Sequence, residues 1–315
     1  MEKPKIITVT LNPCMDKTAE VASFAAGKTN RVLSSRTDIG GKGVNVARAL
    51  CGSGVPFTAA GLVAGVYGRK LVDCLEAMGV LCAFCEAEGE TRVNLKVLDT
   101  QSGEMTELNE KGFNAGTAYA DFLETLLLFL PDADVLTLSG SLPPDLSTGV
   151  YRELTALAKS LGVRVILDAD GAAMRSAVEA CPFAIKPNLD EFRSLIGEDV
   201  RTVPEIVSAA RALNARGVDL VAVSCGADGA VFVRDSLAVQ TIPFSIEVGS
   251  AAAAGDSMVA ALAWSLVRKQ TLIETAKLMT AAGTCTASLP GTQVATLSEA
   301  FSRAQDVQVK ILNLE

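Results

Sequence analysis

The sequence predicts an α/β domain built around a largely parallel sheet. Three observations lead to this prediction: short β-branched apolar runs alternate with longer periodic stretches, 49% of the 315 residues are hydrophobic, and no low-complexity linker or fixed repeat divides the chain. Alternation of strands and helices is typical of layered α/β folds, because each crossover helix returns the chain to the same end of the sheet. We therefore expect a single domain over residues 1–315.

The periodicity of apolar residues predicts the individual elements. Short, uniformly apolar runs predict buried strands at Ile6–Thr10, Asp134–Leu138, Arg164–Leu167, Phe183–Ile185 and Leu220–Ser224. Helical spacing predicts helices at Gly43–Cys51, Arg69–Met78, Tyr119–Leu130, Val150–Leu161, Asp190–Ile196 and Pro204–Arg216, with a further apolar helix at Met258–Val267.

Two regions, Lys17–Thr37 and Glu90–Leu108, break the alternation. In the second region, apolar and polar residues alternate before a glycine-containing turn, which predicts a hairpin with one polar face. That face carries Arg92, Asn94 and Lys96. It could border a cleft and bind an anion, or it could be an ordinary solvated strand face, and the pattern alone allows both.

Composition excludes several kinds of chemistry. The chain contains no histidine, so His-dependent nucleophilic catalysis, a His general base and His-containing zinc sites are excluded. Acid–base chemistry near neutral pH must therefore use a carboxylate, Lys, Cys or Tyr. The net charge is −8, and no basic run occurs, so we expect neither nucleic acid nor a membrane as a partner.

The apolar stretches and the cysteines indicate a cytoplasmic protein. No stretch approaches the roughly 20 apolar residues of a membrane-spanning helix, and the first residues lack the features of a signal peptide. Eight scattered cysteines suit a reducing compartment. Cys82 and Cys85 alone have metal-ligand spacing; without a second such pair, we interpret them as apolar side chains at a strand edge rather than a zinc site.

The first motif that suggests chemistry is Gly40-Gly41-Lys42-Gly43-Val44-Asn45. Closely spaced glycines leave the backbone open to a ligand, and the amides at the start of the following helix point toward it. Asn45 offers a donor and an acceptor for sugar hydroxyls. The motif is neither a P-loop nor a dinucleotide-binding turn, and a purely structural glycine turn is the alternative.

Two further motifs place carboxylates at helix entrances. Asp256 follows a glycine just ahead of the apolar helix, where it could cap that helix, or accept a proton while the amides of Ala254–Asp256 hold a transferring phosphoryl group. Asn188 and Glu191 follow a buried strand, where they could cap the next helix or organise hydrated Mg²⁺ near a nucleotide.

Together these motifs resemble a known family. The ordered matches are Thr10-Leu11-Asn12-Pro13-Cys14-Met15-Asp16-Lys17, Gly40–Asn45, Ser139-Gly140-Ser141-Leu142-Pro143-Pro144, Lys186-Pro187-Asn188 with Glu191, Ser224-Cys225-Gly226-Ala227-Asp228-Gly229, and Gly255-Asp256-Ser257. The chain resembles the ribokinase-like (PfkB-type) carbohydrate kinases, and within them the branch that contains 1-phosphofructokinase and tagatose-6-phosphate kinase. Six motifs in order are far more specific than any one of them.

The resemblance implies a fold and an activity. It implies a three-layer α/β/α domain with a small β-sheet lid inserted from about residues 14–38 and 90–110. It implies transfer of the γ-phosphoryl group of ATP to a ketohexose phosphate, with fructose 1-phosphate favoured and tagatose 6-phosphate or fructose 6-phosphate as alternatives. Mg²⁺ is the implied cofactor, with K⁺ as a further candidate, and a homodimer formed through the lid is the implied assembly.

The resemblance also implies residue roles. The sugar hydroxyls would be bound by Asp16, Gly41 and Asn45, with Gly40 and Lys42 in the same motif, and the existing phosphate by Lys28, Arg92 and Ser141. The nucleotide would be bound by Lys186, Asn188, Ser224, Gly226, Gly229 and Gly283, and the magnesium ion by Glu191 and, through water, Asn188. Asp256 would be the catalytic base, with Ala253, Ala254 and Gly255 forming the anion hole beside it.

The chain departs from the family pattern at one of these positions. It reads Ser250-Ala251-Ala252-Ala253-Ala254-Gly255-Asp256, so an alanine replaces the first glycine of the anion hole. If position 253 requires a positive φ, alanine costs on the order of 1 kcal/mol and could displace a backbone donor. A catalytically weakened sugar-phosphate or nucleotide-binding protein is therefore the alternative to an enzyme. For an active enzyme, we expect Asp256 to have an ordinary pKa and to be ionised at neutral pH.

Overall fold

The computed structural model describes residues 5–312. Within this range, the strands are β1 (Ile6–Thr10), β2 (Cys14–Val21), β3 (Val32–Gly40), β4 (Phe57–Ala64), β5 (Leu81–Ala87), β6 (Arg92–Asp99), β7 (Met105–Leu108), β8 (Val135–Ser139), β9 (Arg164–Asp168), β10 (Ala184–Ile185), β11 (Leu220–Ser224), β12 (Ala230–Arg234), β13 (Leu237–Ile242) and β14 (Gln308–Ile311). The helices are α1 (Lys42–Leu50), α2 (Gly65–Ala77), α3 (Ala118–Phe129), α4 (Val150–Ser160), α5 (Gly171–Val178), α6 (Leu189–Ile196), α7 (Val203–Ala215), α8 (Ala254–Val267), α9 (Leu272–Ala287) and α10 (Leu297–Arg303).

The main sheet has the strand order β14-β13-β12-β11-β10-β9-β8-β1-β4-β5 over the described residues. Neighbouring strands from β11 to β5 are parallel, and β12, β13 and β14 add an antiparallel extension. The chain runs outward from β1 to β5 in one direction and from β8 to β11 in the other. The point at which the order reverses therefore lies between β1 and β8, and ligands of open α/β sheets bind beyond the carboxyl ends of strands at such a point.

Helices cover both faces of this sheet. On one face, α3, α4, α6 and α7 pack through large buried side chains such as Phe122, Tyr151 and Phe192. On the other face, α1, α8 and α9 pack through residues such as Leu50 and Leu262. The parallel strands are buried on both sides, which explains why their sequences are continuously apolar. The expected three-layer α/β/α architecture is confirmed.

The two irregular regions form a separate four-stranded sheet, in the order β3-β2-β6-β7, which we call the lid. Strands β6 and β7 pair as the antiparallel hairpin that the sequence predicts, and β2 joins β6 in parallel. Arg92, Asn94 and Lys96, the polar face of the hairpin, line a cavity. The cleft interpretation of this face is therefore correct, and the solvated one is wrong.

Two elements that the sequence did not predict, β4 and α9, lack the usual strand and helix patterns for physical reasons. Strand β4 has the sequence FTAAGLVA and contains Gly61, where a Cβ would lie 1.9 Å from the Thr10 carbonyl oxygen of β1. Because β1 and β4 lie so close together here, small residues are favoured over β-branched ones at this position. Helix α9 is buried around most of its circumference, so it has no amphipathic pattern.

The edge strand β5 and the lengths of the helices bear on the cysteines and on membrane insertion. Strand β5 is the edge strand of the main sheet and carries Cys82 and Cys85 as half-buried free thiols, as the strand-edge interpretation expects. Across residues 5–312, no helix combines the length and the apolar character needed to cross a bilayer.

Candidate active site

A cavity of about 1170 Å³ lies between the carboxyl edge of the main sheet and the lid. Its wall is formed by the segments that follow β1, β8, β9, β10 and β11, by the first turns of α1 and α8, and by the polar face of the lid. The position is the one that the strand order predicts for a ligand site. The motifs that are far apart in the sequence therefore meet here.

Helix α1 begins at the glycine-rich motif because only glycine fits there. Gly41 precedes the helix with a φ of 105°, a backbone conformation that side chains disfavour. A Cβ on Gly43 would lie 2.4 Å from the Val9 carbonyl oxygen, so α1 packs directly against the end of β1. The helix thereby projects Lys42 and Asn45 into the cavity.

One end of the cavity holds Arg92 and Ser141. Nη2 of Arg92 donates to Ser141 Oγ at 3.2 Å and to the Asn12 carbonyl oxygen at 3.0 Å, and the Asn12 amide donates to the same hydroxyl at 3.3 Å. Because Ser141 Oγ accepts twice, its own proton is available to another acceptor. Arg92 Nε is buried without a protein partner in the described structure. A guanidinium, a hydroxyl and a free N–H donor make this end suitable for an anion.

Asp16 lies beside this anion-binding end, on β2. Its Oδ1 accepts from Asn94 Nδ2 at 3.1 Å, and Lys96 Nζ is 3.8 Å from its Oδ2. Gly40 ends β3 against this carboxylate, and a Cβ there would lie 2.6 Å from Oδ2. Gly40 therefore makes room for Asp16 instead of lining the cavity. Asn94 Oδ1 is buried and unpartnered in the described structure, so it can accept from a ligand hydroxyl.

Asp256 lies in the first turn of α8 and is buried. Ala253, not Asp256, is the N-cap residue, so the capping alternative is wrong. Asn45 Nδ2 donates to Asp256 Oδ2 at 2.8 Å. Burial, reinforced by the negative charge of Asp168, raises the pKa of Asp256 to about 7. Our expectation of an ordinary pKa is therefore wrong: the desolvated carboxylate is partly protonated at neutral pH.

A buried acid, Asp168, lies between two lysines in the cavity wall. Asp168, 1% exposed, accepts from Lys42 Nζ at 3.0 Å and lies 3.7 Å from Lys186 Nζ. Burial opposes ionisation of Asp168, but the two lysines outweigh it and hold its pKa below the ordinary value. Burial would lower the pKa of Lys42, but the charges of Asp168 and Glu191 raise it. Asp168 and Lys42 are therefore charged at neutral pH.

Asn188 and Glu191 form a capping box at the start of α6. Asn188 Oδ1 accepts from the Glu191 amide, and Glu191 Oε2 accepts from the Asn188 amide, both at 2.8 Å. The capping interpretation is therefore correct, but it does not occupy the whole Glu191 carboxylate. Its Oε1 faces the cavity 3.6 Å from Lys42 Nζ. Glu191 Oε1 and the second lone pair of Asn188 Oδ1 are acceptors at the cavity wall that remain available to a hydrated divalent cation.

Ala253 adopts the left-handed conformation, with φ 60° and ψ −2°. The backbone at this position therefore has the geometry for which glycine is normally selected, although the side chain is alanine. The amides that open α8 still face the cavity, and Ala254 N makes only a 3.4 Å contact to the Ala251 carbonyl oxygen. Amides in the first turn of a helix lack intrahelical partners, so this turn can receive an anion.

The other residues that the resemblance assigns to the nucleotide also line the cavity. Ser224, Gly226, Gly229 and Gly283 all contribute to its wall. A Cβ on Gly229 would lie 1.9 Å from the Thr241 carbonyl oxygen, so the turn after β11 requires glycine. The segment 243–248, which the sequence did not indicate, adds the apolar side chains of Phe244, Ile246 and Val248.

Of the residues that the resemblance assigns, the structure does not bring Lys28 to the cavity. Lys28 lies in an exposed turn between β2 and β3, and its amide donates to the Ala25 carbonyl oxygen. Sequence reasoning also missed Asp168. A signal for it existed, because an acidic residue directly follows a predicted buried strand and so lies at the carboxyl edge of the sheet.

The fold and this cavity define a class of protein: an α/β phosphotransferase that acts on a small molecule. An anion-binding end, a buried carboxylate and a helix N-terminus converge in one cavity. This arrangement suits phosphoryl transfer, in which positioning and electrostatic stabilisation supply most of the rate.

Comparison with known proteins agrees. Residues 9–299 match the model of the pfkB family carbohydrate kinases. The chain is 40% identical over 279 residues to a 1-phosphofructokinase of Rhodobacter capsulatus (88% of each chain), and 38% identical over 290 residues to one of Xanthomonas campestris (89% of this chain, 90% of the relative). Phosphofructokinase-2 of Escherichia coli, solved in complex with substrates and products, superposes with a TM-score of 0.90 at 30% identity, covering 96% of this chain and 99% of that one. The chain belongs to the pfkB family of carbohydrate kinases.

The left-handed backbone at Ala253 leads to a first prediction. Ala253→Gly should raise the free energy of unfolding by about 0.5–1 kcal/mol, because glycine adopts a positive φ without strain. It should leave kcat within about threefold, because the backbone already has the required conformation. Urea denaturation and steady-state kinetics measure the two quantities. Ala304→Gly, at φ −59°, is the matched control and should destabilise the protein. A large gain in kcat would instead mean that alanine misplaces the anion hole.

The raised pKa of Asp256 leads to a second prediction. The unfolded chain loses the Asp256 proton near pH 4, and the folded chain loses it near pH 7. Ionisation of Asp256 therefore lowers the free energy of unfolding increasingly between these two pH values, and the whole loss is present above pH 7. Asp256→Asn should therefore be more stable than the wild type at pH 8, by up to about 4 kcal/mol, and the difference should vanish toward pH 4.

Chemical denaturation at pH 4.5, 6 and 8 measures this difference. Asp145→Asn is the control of opposite sign, because Asp145 accepts from the Ala115 and Gly116 amides and these hydrogen bonds lower its pKa against the effect of burial. That variant should lose stability above pH 4. A stability difference for Asp256→Asn that does not depend on pH would contradict the raised pKa.

Proposed function

We propose that this kinase transfers the γ-phosphoryl group of ATP to fructose 1-phosphate and forms fructose 1,6-bisphosphate. The observation that carries the proposal is that one cavity joins an anion-binding end, at Arg92 and Ser141, to a buried carboxylate, Asp256, at a helix N-terminus. A kinase for an unphosphorylated sugar has no need of the first feature. The relatives named 1-phosphofructokinase support the same substrate class.

The substrate is held by its phosphate and its hydroxyls. Arg92 and Ser141 bind the phosphate, with donors directed at the cavity by their contacts to each other and to Asn12. Asp16 and Asn94 accept from sugar hydroxyls next to this end. The binding energy of the phosphate is thus used to orient the distant hydroxyl toward Asp256, and orientation of this kind supplies much of a transfer rate.

Asp256 then acts as the base. The substrate hydroxyl oxygen forms a bond to the γ-phosphorus while the bond from that phosphorus to the bridging oxygen of ADP breaks. The hydroxyl proton passes to the Asp256 carboxylate, whose pKa of about 7 is suited to accepting a proton near neutral pH. The amides of Ala254, Gly255 and Asp256 stabilise the charge on the transferring group.

The nucleotide occupies the opposite end of the cavity. Ser224, Gly226, Gly229 and Gly283 form the open backbone that receives ATP, and the apolar segment 243–248 offers a surface for the base. Lys42 and Lys186 supply positive charge between the ATP and sugar ends.

The cavity wall also has a fitting position for a divalent cation. Glu191 Oε1 and the Asn188 side chain would hold Mg²⁺, largely through water, as Mg²⁺ prefers. When bound, the ion neutralises charge on the phosphates. K⁺ is a further candidate ion, as the resemblance implies.

Two alternatives remain open to test. Tagatose 6-phosphate or fructose 6-phosphate would satisfy the same anion-binding end, because the contacts do not depend on which carbon carries the phosphate. A weakened binding protein is disfavoured by the backbone of Ala253, which keeps the left-handed conformation in spite of its side chain.

We also propose a homodimer formed through the lid. Its outer strand β3 is exposed over most of its length, and Phe24, Val32 and Leu33 present an apolar surface beside the turn that carries Lys28. A sheet edge of this kind invites pairing with another chain. The predicted contact of Lys28 with a substrate phosphate requires such an assembly or movement of the lid, because the turn is exposed in the single chain.

Steady-state kinetics with ATP and each of the three sugar phosphates tests the proposed activity. We expect kcat/KM for fructose 1-phosphate to exceed the other values at least tenfold. Arg92→Ala should raise its KM by about 100-fold, because a charge-assisted phosphate contact is lost. Arg69→Ala, an exposed arginine paired with Glu86, is the control and should leave KM unchanged. Binding of fructose 1-phosphate without turnover would reject the enzyme in favour of the binding protein.

Analytical ultracentrifugation tests the assembly. Leu33 is 64% exposed on β3, and Leu33→Asp should convert a dimer into a monomer, because a charge is costly in an apolar interface. Leu128, 76% exposed on α3, is equally apolar but lies outside the lid, so Leu128→Asp should leave the dimer intact. A wild-type monomer at micromolar concentration would refute the lid interface.

A further inference from the structure

Arg48 lies on α1, one helical turn beyond Asn45, and the two hydrogens of its Nη1 atom serve three acceptors, so one hydrogen is shared between two of them. Its Nη1 donates to Asn45 Oδ1 at 2.9 Å, to the Thr292 carbonyl oxygen at 3.0 Å and to the Ile39 carbonyl oxygen at 3.1 Å. These acceptors belong to three separate parts of the chain: the cavity, the segment after α9, and the end of β3 in the lid. Charge-assisted hydrogen bonds to buried acceptors are among the stronger polar contacts in proteins.

The contact to Asn45 decides how that amide is oriented. An asparagine side chain has an acceptor end and a donor end. Arg48 offers only donors, so the Asn45 oxygen must face Arg48 and the Asn45 nitrogen must face Asp256, to which it donates at 2.8 Å. The reversed amide would place its nitrogen against the guanidinium and its oxygen against the carboxylate. Both contacts would then be repulsive.

The orientation of Asn45 in turn holds the base. The hydrogen bond from Asn45 occupies Oδ2 of Asp256 and fixes the plane of the carboxylate, which leaves Oδ1 to accept a proton. We propose that Arg48 is a positioning residue for Asp256 that acts through the amide of Asn45, and that it ties this arrangement to the base of the lid at Ile39. The inference rests on the proposed role of Asp256 in phosphoryl transfer.

Several charged groups surround the chain of hydrogen bonds from Arg48 through Asn45 to Asp256, which we call the relay. Arg48 faces Asp38, Arg36, Asp16 and the Cys51 thiol; burial lowers its pKa, with Asp38 opposing that effect. A guanidinium nevertheless remains protonated near neutral pH. On the other side, Asp256 faces Asp168, Lys42 and Lys186. Within this set, Arg48 reaches Asp256 by hydrogen bonds through Asn45, so its removal has a specific expected effect.

The test is a double-mutant cycle between Arg48 and Asn45. Arg48→Met keeps most of the volume and removes the donor, and we expect kcat/KM to fall by about 10- to 100-fold, because a misplaced catalytic group costs rates of this size. Asn45→Ala should also lower kcat/KM. When Arg48→Met is added to Asn45→Ala, the further loss should be less than about twofold, because the intermediary is already absent. Independent losses that multiply would overturn the proposal.

The pH profile supplies a readout that a merely structural role would not move. The hydrogen bond from Asn45 favours the ionised carboxylate, so its loss raises the pKa of Asp256. The acid limb of kcat/KM should therefore move to higher pH in Arg48→Met. Arg36→Met is the matched control: Arg36 belongs to the same charged group but donates to Asp38, so its acid limb should not move. An equal shift in both variants would overturn the proposal.

Two further measurements keep the test decisive. Arg48→Lys retains a positive donor without the planar fork, so it should recover part of the loss seen in Arg48→Met; no recovery in a folded Arg48→Lys variant would count against the relay. If the wild type phosphorylates none of the sugar phosphates, the proposed function fails. The relay is then still tested by stability, because the difference in unfolding free energy between the wild type and Asp256→Asn depends on pH. In an Arg48→Met background, the pH midpoint of this difference should move upward. A midpoint that does not move would show that Arg48 does not act on Asp256.

Discussion

The Asp168 carboxylate, buried between Lys42 and Lys186, is the interaction on which the rest of the cavity depends. Its three residues come from β9, from the first turn of α1 and from the segment after β10, so one cluster joins three separate parts of the chain. A buried carboxylate is tolerated only when it is paired, and the two lysines meet that requirement. The cluster therefore concentrates charge at the carboxyl edge of the sheet, which is the place that we propose for phosphoryl transfer.

The same cluster determines the character of Asp256. The negative charge of Asp168 acts with burial to disfavour ionisation of Asp256, while Lys42 and Lys186 oppose that effect. The pKa of Asp256 thus lies above the ordinary value of an aspartate, and the pKa of Asp168 lies below it. Opposite shifts of two carboxylates in one cavity are typical of sites in which the two groups have different roles. Burial of Asp256 lowers the stability of the folded chain above neutral pH, a cost that natural active sites commonly carry.

Local patterns predicted the fold class, the lid hairpin and the motifs around Asn45, Asn188 and Asp256, whereas the roles of the other cavity residues came from the family resemblance. Continuous apolar runs indicate parallel strands, and the glycines at Gly41 and Gly229 mark turns that a side chain cannot occupy. The pKa of Asp256 and the role of Asp168 depend on which residues meet across β9 and α8, which no local pattern encodes. Strand β4 was not predicted because its close approach to β1 at Gly61, rather than strand propensity, determines its sequence.

The geometry of the cavity explains how a chain without histidine can have a group that titrates near neutral pH. Imidazole is the side chain whose ordinary pKa lies nearest neutrality, and this chain has none. Desolvation raises the pKa of Asp256 to about 7 instead. In the proposed mechanism, burial in the first turn of α8 thus supplies the proton affinity that imidazole would otherwise provide. A carboxylate tuned in this way is neutral when protonated and anionic when ready to accept a proton, whereas imidazole would be cationic after accepting one.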